Sequence, residues 1–120
     1  MRVMAAPRGI HHVQLNVADV PEAIRFYAAR GMEPRADRPD LGRTGAWLDA
    51  GGSQVHLSES TDVGPKHFAL EFEDLDSVLV ALRASGFTVD EPRSVGPGLP
   101  RQTSLDDPAG NRVELREPAH

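Results

Sequence analysis

The chain contains no cysteine, so disulfides and thiolate metal sites are excluded, and any metal must rest on histidine and carboxylate. It has one lysine, Lys66, beside twelve arginines, and its acidic residues leave a formal net charge of -5. A chain of that sign lacks the basic face a nucleic-acid partner requires, so none is expected. Aromatic residues are scarce, at 5%, and Trp47 is the sole tryptophan, which supplies a stacking cage for a large planar drug poorly. No apolar run approaches the ~18 residues of a membrane span, so no membrane association is expected. Residues 1–9 hold two arginines and no apolar core, so no secretory signal is expected there. With the absent cysteines, this points to a cytoplasmic setting.

What is present is a single domain's worth of chain. Residues 1–120, 39% hydrophobic and 26% charged, suit one globular domain with a modest core. The chain also repeats itself. Displaced by 55 positions, His12-Val-Gln-Leu-Asn-Val-Ala-Asp19 overlays His67-Phe-Ala-Leu-Glu-Phe-Glu-Asp74, and the match runs on to Gly31 over Gly86. At an offset of 58, Gln54-Val-His-Leu-Ser-Glu59 falls on Arg112-Val-Glu-Leu-Arg-Glu117. Two modules, at about residues 10–60 and 65–117, therefore share one grammar.

Residues 10–17 alternate as a half-buried strand. Asp19 then suits a helix N-cap, with Pro21 in the first turn, Glu22 at the capping-box position, and Gly31 as the stop. The second module repeats this with a strand over 66–72, N-cap Asp74, apolar Leu75, Val78, Leu79 and Leu82, and Gly86. Extended stretches follow at 46–50, 54–58, 103–106 and 112–116, with Gly51-Gly52 and residues 107–111 as turns. The expected fold is α+β: two tandem βαβββ modules whose curved mixed sheets surround a central cleft.

Alternation assigns faces to the side chains. Val13, Leu15 and Val17 belong under the helix, which leaves His12 and Gln14 on the other face. His67 and Glu71 are exempt from helix cover in the matching strand, as are His56 and Glu114 in the late ones. The repeat pairs His12 with His67 and His56 with Glu114. His11 is out of phase and His120 is a tail residue, so neither is assigned a role. Three imidazoles and a carboxylate suit one divalent ion, Zn, Ni, Fe or Mn, with open positions for a substrate's adjacent oxygens. For His56, hydrogen bonding into a polar cleft is an equal explanation. Either Glu114 or His56 can serve as general base beside such a metal.

These motifs carry a family resemblance. His12 with Asp19, His67 with Asp74, and Asp107-Pro-Ala-Gly-Asn-Arg-Val-Glu-Leu115 resemble the vicinal oxygen chelate superfamily of glyoxalases, bleomycin-resistance proteins and dioxygenases, over residues 10–117. The resemblance implies that the family's metal triad falls on His12, His67 and Glu114. The fourth position, His56 here, is Glu in typical glyoxalase I and Gln in methylmalonyl-CoA epimerase. The segment from Gly45 to Leu57 looks like that of small glyoxalase-like proteins. Members that only sequester antibiotics have generally lost the ligands. A homodimer is also implied, with the site built inside one chain or shared between two.

Three functions follow as expectations. The first is a metal-dependent lyase or isomerase of glyoxalase type, acting on a small oxygen-bearing metabolite. The second is an Fe(II) extradiol-type dioxygenase using His12, His67 and Glu114. The third is a non-catalytic small-molecule or antibiotic binder. Substrate contacts are expected from Gln14, Trp47, Glu71 and Arg101, the last by pairing with a carboxylate or phosphate.

Overall fold

The computed structural model of the chain describes residues 6–119. Residues 1–5, which hold most of the stretch read for a leader, and His120 lie outside that range. The chain divides into two compact units, His11–His67, and Phe68 onward with the residues that precede His11. Among the described residues, seven strands and two helices make it an α+β protein. Among the described residues no helix is long and apolar enough to cross a membrane.

The His11–His67 unit is built on β1 (Gly9–Val17), α1 (Val20–Ala28), β2 (Gly45–Ala50) and β3 (Ser53–Glu59). Helix α1 starts because extended Asp19 accepts a hydrogen bond from the Glu22 amide at 3.0 Å, satisfying one orphan donor. It stops where Gly31, at φ 85°, takes a left-handed turn and the Met32 amide donates back to the Tyr27 carbonyl at 3.1 Å. Strand β3 pairs antiparallel with β2 and parallel with β1. A parallel neighbour demands a crossover, and α1 lies within it. Gly51, at φ 66°, opens the two-residue β2–β3 turn, as the first position of a type II′ hairpin requires. Val20, Ala46, Leu48 and Leu57 form the core, with Leu15, Val17, Ile24, Tyr27 and Val55 packed around them. Complete burial of Leu48 and Leu57 is worth about 1.5–3 kcal/mol each.

The first module departs from the expected three strands after its helix. Where the extra strand is expected there is a single bridge, Pro34 to Leu48. Proline has no amide hydrogen, so the ladder there is reduced to bonds from its neighbours: the Arg35 amide to the Trp47 carbonyl, and the Asp49 amide to the Glu33 carbonyl. The Arg35 guanidinium binds Asp37 and Asp49, at 2.8 and 2.7 Å, and fastens this segment to β2.

The other unit takes up β4 (Gly64–Glu71) from Phe68 on, then α2 (Leu75–Ala84), β5 (Arg93–Ser94), β6 (Arg101–Asp106) and β7 (Arg112–Arg116). Here the βαβββ order is complete, with β7 between β4 and β6 and β5 beyond β6. Helix α2 repeats the devices of α1. Asp74 accepts from the Ser77 amide at 3.2 Å, and beyond Gly86, at φ 92°, the Phe87 amide donates back to the Leu82 carbonyl. Leu75, Val78 and Leu79 pack with Phe72, Val89 and Leu115 into this unit's core. Asp107 closes the β6–β7 turn: its Oδ1 accepts from the amides of Ala109 and Asn111, both at 2.9 Å.

Candidate metal centre

In the His11–His67 unit, strand register sets the polar side chains in rows. Across β1, β3 and β2, Gln14 stands opposite His56 and His56 opposite Trp47; one row away, His12 stands opposite Gln54. These positions alternate with Leu15, Val55, Leu57 and Leu48 of the core, so they occupy the opposite face of the strands. His12 and His56 are nonetheless buried, at 3% and 6% exposure, and Ser58 with them. Gln14 Nε2 donates to Ser58 Oγ at 3.0 Å.

The four imidazoles of this unit make a chain of contacts. His12 Nε2 lies 3.4 Å from His67 Nε2, although the residues are 55 positions apart. On its other side, His12 Nδ1 lies 2.8 Å from His11 Nδ1. His56 stacks on His12, with ring centroids 3.8 Å apart and planes within 12°, and Trp47 stacks on His56 at 4.6 Å and 11°. His56 Nε2 lies 2.8 Å from Gln54 Oε1, an acceptor, so this nitrogen carries the ring's proton and donates it.

That stack bears on the expectation that His56 is a metal ligand beside His12. An imidazole lone pair lies in the ring plane, so two rings holding one ion must have planes that meet near it. Nearly parallel rings 3.8 Å apart do not converge, and an ion shared by them would sit well outside both planes. The ligand-type atoms of His11, His12 and His56 do lie within 4.8 Å of one another, yet proximity without convergence is not coordination. Hydrogen bonding and stacking, the other explanation for His56, is what the structure contains. His11 is the residue that phase reasoning overlooked. The only signal for it was the His11-His12 doublet at the start of a strand.

The remaining expected residues belong to the other unit. Glu114 is buried on β7, at 6% exposure, with its Oε2 3.9 Å from Arg116 Nη1. Burial lowers the Arg116 pKa from its ordinary value, and the charges of Glu114 and Glu71 oppose that shift. Glu71 also pairs with Arg8 at 3.5 Å. Arg101, the expected anion contact, is paired within its unit. Its guanidinium binds Glu117 and Asp76, which raise its pKa further, so its charge is already met within the chain.

Comparison with known proteins agrees with this architecture. The family model of the Glyoxalase/Bleomycin resistance protein/Dioxygenase superfamily matches residues 9–115. No functionally curated protein matches the sequence significantly. Among solved structures, methylmalonyl-CoA epimerase from Mycobacterium tuberculosis superimposes with a TM-score of 0.81 at 26% identity, covering 100% of this chain and 94% of the other. A variant of the Streptomyces coelicolor methylmalonyl-CoA epimerase, in complex with 2-nitronate-propionyl-CoA, gives 0.75 at 25% identity, covering 96% and 100%. A hypothetical protein from Bacillus halodurans C-125 gives 0.75 at 20% identity, covering 93% and 95%, and speaks for the fold alone. With the family model spanning nearly its whole length, the chain belongs to the glyoxalase/bleomycin resistance protein/dioxygenase superfamily.

Proposed function

We propose that this protein is a divalent-metal-dependent isomerase that moves a proton on a carbon next to a carbonyl of a small acyl substrate, with His12, His67 and Glu114 as metal ligands. The observation that carries the reading is the 3.4 Å between His12 Nε2 and His67 Nε2. Two imidazoles on one tetrahedral ion, at the usual Zn–N length, have nitrogens ~3.3 Å apart. At 3.4 Å the contact is at the long end for a nitrogen–nitrogen hydrogen bond. The spacing is therefore that of two ligands on one cation.

Glu114 enters as the third ligand through its place in the repeat and in the family pattern, and through the burial of its carboxylate on β7. A divalent ion held by this set supplies a Lewis acid for adjacent substrate oxygens. The protein's own acid–base group is His56. Its Nε2–H is committed to Gln54, so the basic lone pair sits on Nδ1, and the stack between Trp47 and His12 fixes the ring. Trp47 and Gln14 flank His56 in the same row and are the proposed substrate contacts. The likeness to methylmalonyl-CoA epimerases favours isomerase over lyase and makes a CoA ester the first substrate to try. No observation favours the dioxygenase or the sequestering alternative. The family resemblance also implies a homodimer, which light scattering tests against the 13.0 kDa chain mass.

The test uses untagged protein with its metal content measured. Incubation with methylmalonyl-CoA in D2O should place deuterium on the carbon between the carbonyls, and His67→Ala should abolish both metal and exchange. His56→Phe, which keeps a ring in the stack and removes the basic nitrogen, should keep the metal and lose exchange. Untagged protein that acquires no first-row metal refutes the metal reading. Protein that holds metal but exchanges no proton, on this ester or on the hemithioacetal of a 2-oxoaldehyde, refutes the proton transfer.

A further inference from the structure

We infer that His11 is a positioning residue that sets the tautomer of His12 and thereby the affinity of the centre for its cation; the inference rests on His12 being a ligand through Nε2. A neutral imidazole has one protonated nitrogen and one bare nitrogen, and only the bare one binds a cation. The 2.8 Å contact between His11 Nδ1 and His12 Nδ1 is a hydrogen bond, so one proton lies between those atoms. If His12 offers Nε2 toward His67, its own proton is on Nδ1, and Nδ1 donates to His11. His11 must then accept with a bare Nδ1 and carry its proton on Nε2. The two rings are nearly perpendicular, at 83°, as expected when one edge donates to the in-plane lone pair of the other.

The surroundings divide the work. Stacking on His56, itself backed by Trp47, fixes the plane of the His12 ring but is indifferent to which nitrogen holds the proton. The His11 contact does distinguish them. Consecutive residues of a strand normally face apart, so this approach depends on the side-chain rotamers chosen at the start of β1. Partners of this kind, one step out from the ligand, typically change metal affinity by about 10–100-fold when removed.

The test is zinc affinity, measured by competition with a chromophoric chelator, for wild type, His11→Phe and His11→Asn. Phenylalanine keeps the ring volume and removes the acceptor; asparagine places an oxygen acceptor near the position of Nδ1. We expect His11→Phe to bind zinc about 10–100-fold more weakly and His11→Asn to recover most of the loss. In zinc-loaded wild type labelled with 15N-histidine, His12 should be protonated at Nδ1 and bare at Nε2. Unchanged affinity in His11→Phe overturns the inference while leaving the metal reading intact; a His12 proton on Nε2 in the zinc-loaded protein overturns both. Wild type that binds no zinc at all overturns both. Should His11→Phe fail to fold, the asparagine variant and the wild-type spectrum still decide.

Discussion

Gly45 offers the sharpest test of the packing that holds the candidate site. It is the first residue of β2 and pairs with Ser58 of β3. A Cβ built on it would lie 2.3 Å from the Leu57 carbonyl oxygen and 2.6 Å from Arg38 Nη2. The guanidinium is the free end of a long side chain and can swing aside. The carbonyl cannot, because Leu57 is 1% exposed and locked among Val20, Ala46 and Leu48. Restoring an ordinary contact means parting β2 from β3 by about 1 Å, at a site packed to interior density. Overpacking of this kind costs about 1–3 kcal/mol, or roughly 4–12 °C of melting temperature for a domain of this size. Gly45→Ala, followed by urea unfolding, should show a loss in that range. Gly52→Ala is the control: its Cβ would meet nothing within 4 Å, and the change should stay within about 0.5 kcal/mol of wild type. Equal stability for the two variants would refute the argument that β2 and β3 close on the bare Cα of Gly45.

Three further outcomes are expected. Zinc at a hundredfold excess over its dissociation constant should add about 2.7 kcal/mol to unfolding stability; thermal melts with and without chelator should show this in wild type and not in His67→Ala. Leu48→Ala, at a position with 0% exposure, should cost about 2–5 kcal/mol in chemical denaturation. Asp74 is held below the ordinary carboxylate pKa, first by the Ser77 hydroxyl and then by the Ser77 amide. Because its folded pKa is the lower one, its stabilisation is complete above the unfolded value near 3.8 and is lost as pH falls through the folded value. Urea midpoints of Asp74→Asn should therefore decline less steeply than wild type below about pH 4.

Much of this was legible because two periods, 2 and 3.6, leave their mark on sequence. The aspartate caps and glycine stops at Asp19, Gly31, Asp74 and Gly86 all appear as hydrogen bonds or left-handed turns. Alternation set His56 apart from Val55 and Leu57, and those two are indeed with the core. What sequence did not disclose is long-range charge. Nothing near Arg101 announces that Glu117 and Asp76, 16 and 25 residues away, take up its guanidinium. The missing strand at Pro34 was readable in principle, since an imino acid interrupts a ladder, but the length of the interruption depends on tertiary pairing.

The histidines show where a pattern of faces ends and chemistry begins. A period of 2 places a Cβ on one side of a strand; it says nothing of where the ring nitrogens aim, which χ1 and χ2 decide. His12 and His56 share a face, yet their rings lie flat on each other, so one is a candidate ligand and the other is not. His11 has the opposite phase, yet its Nδ1 comes within 2.8 Å of His12, a contact that side-chain rotamers set and phase does not. Equivalent places in a repeat thus nominate ligand-type residues, while the stacking order Trp47, His56, His12 shows how the rings of that face lie. Weakening that stack separates the two roles of the face. Trp47→Leu frees the His56 ring from one side, so it should disturb the proposed proton transfer more than zinc affinity. Equal losses in both would mean that the stack holds His12 as firmly as it holds His56.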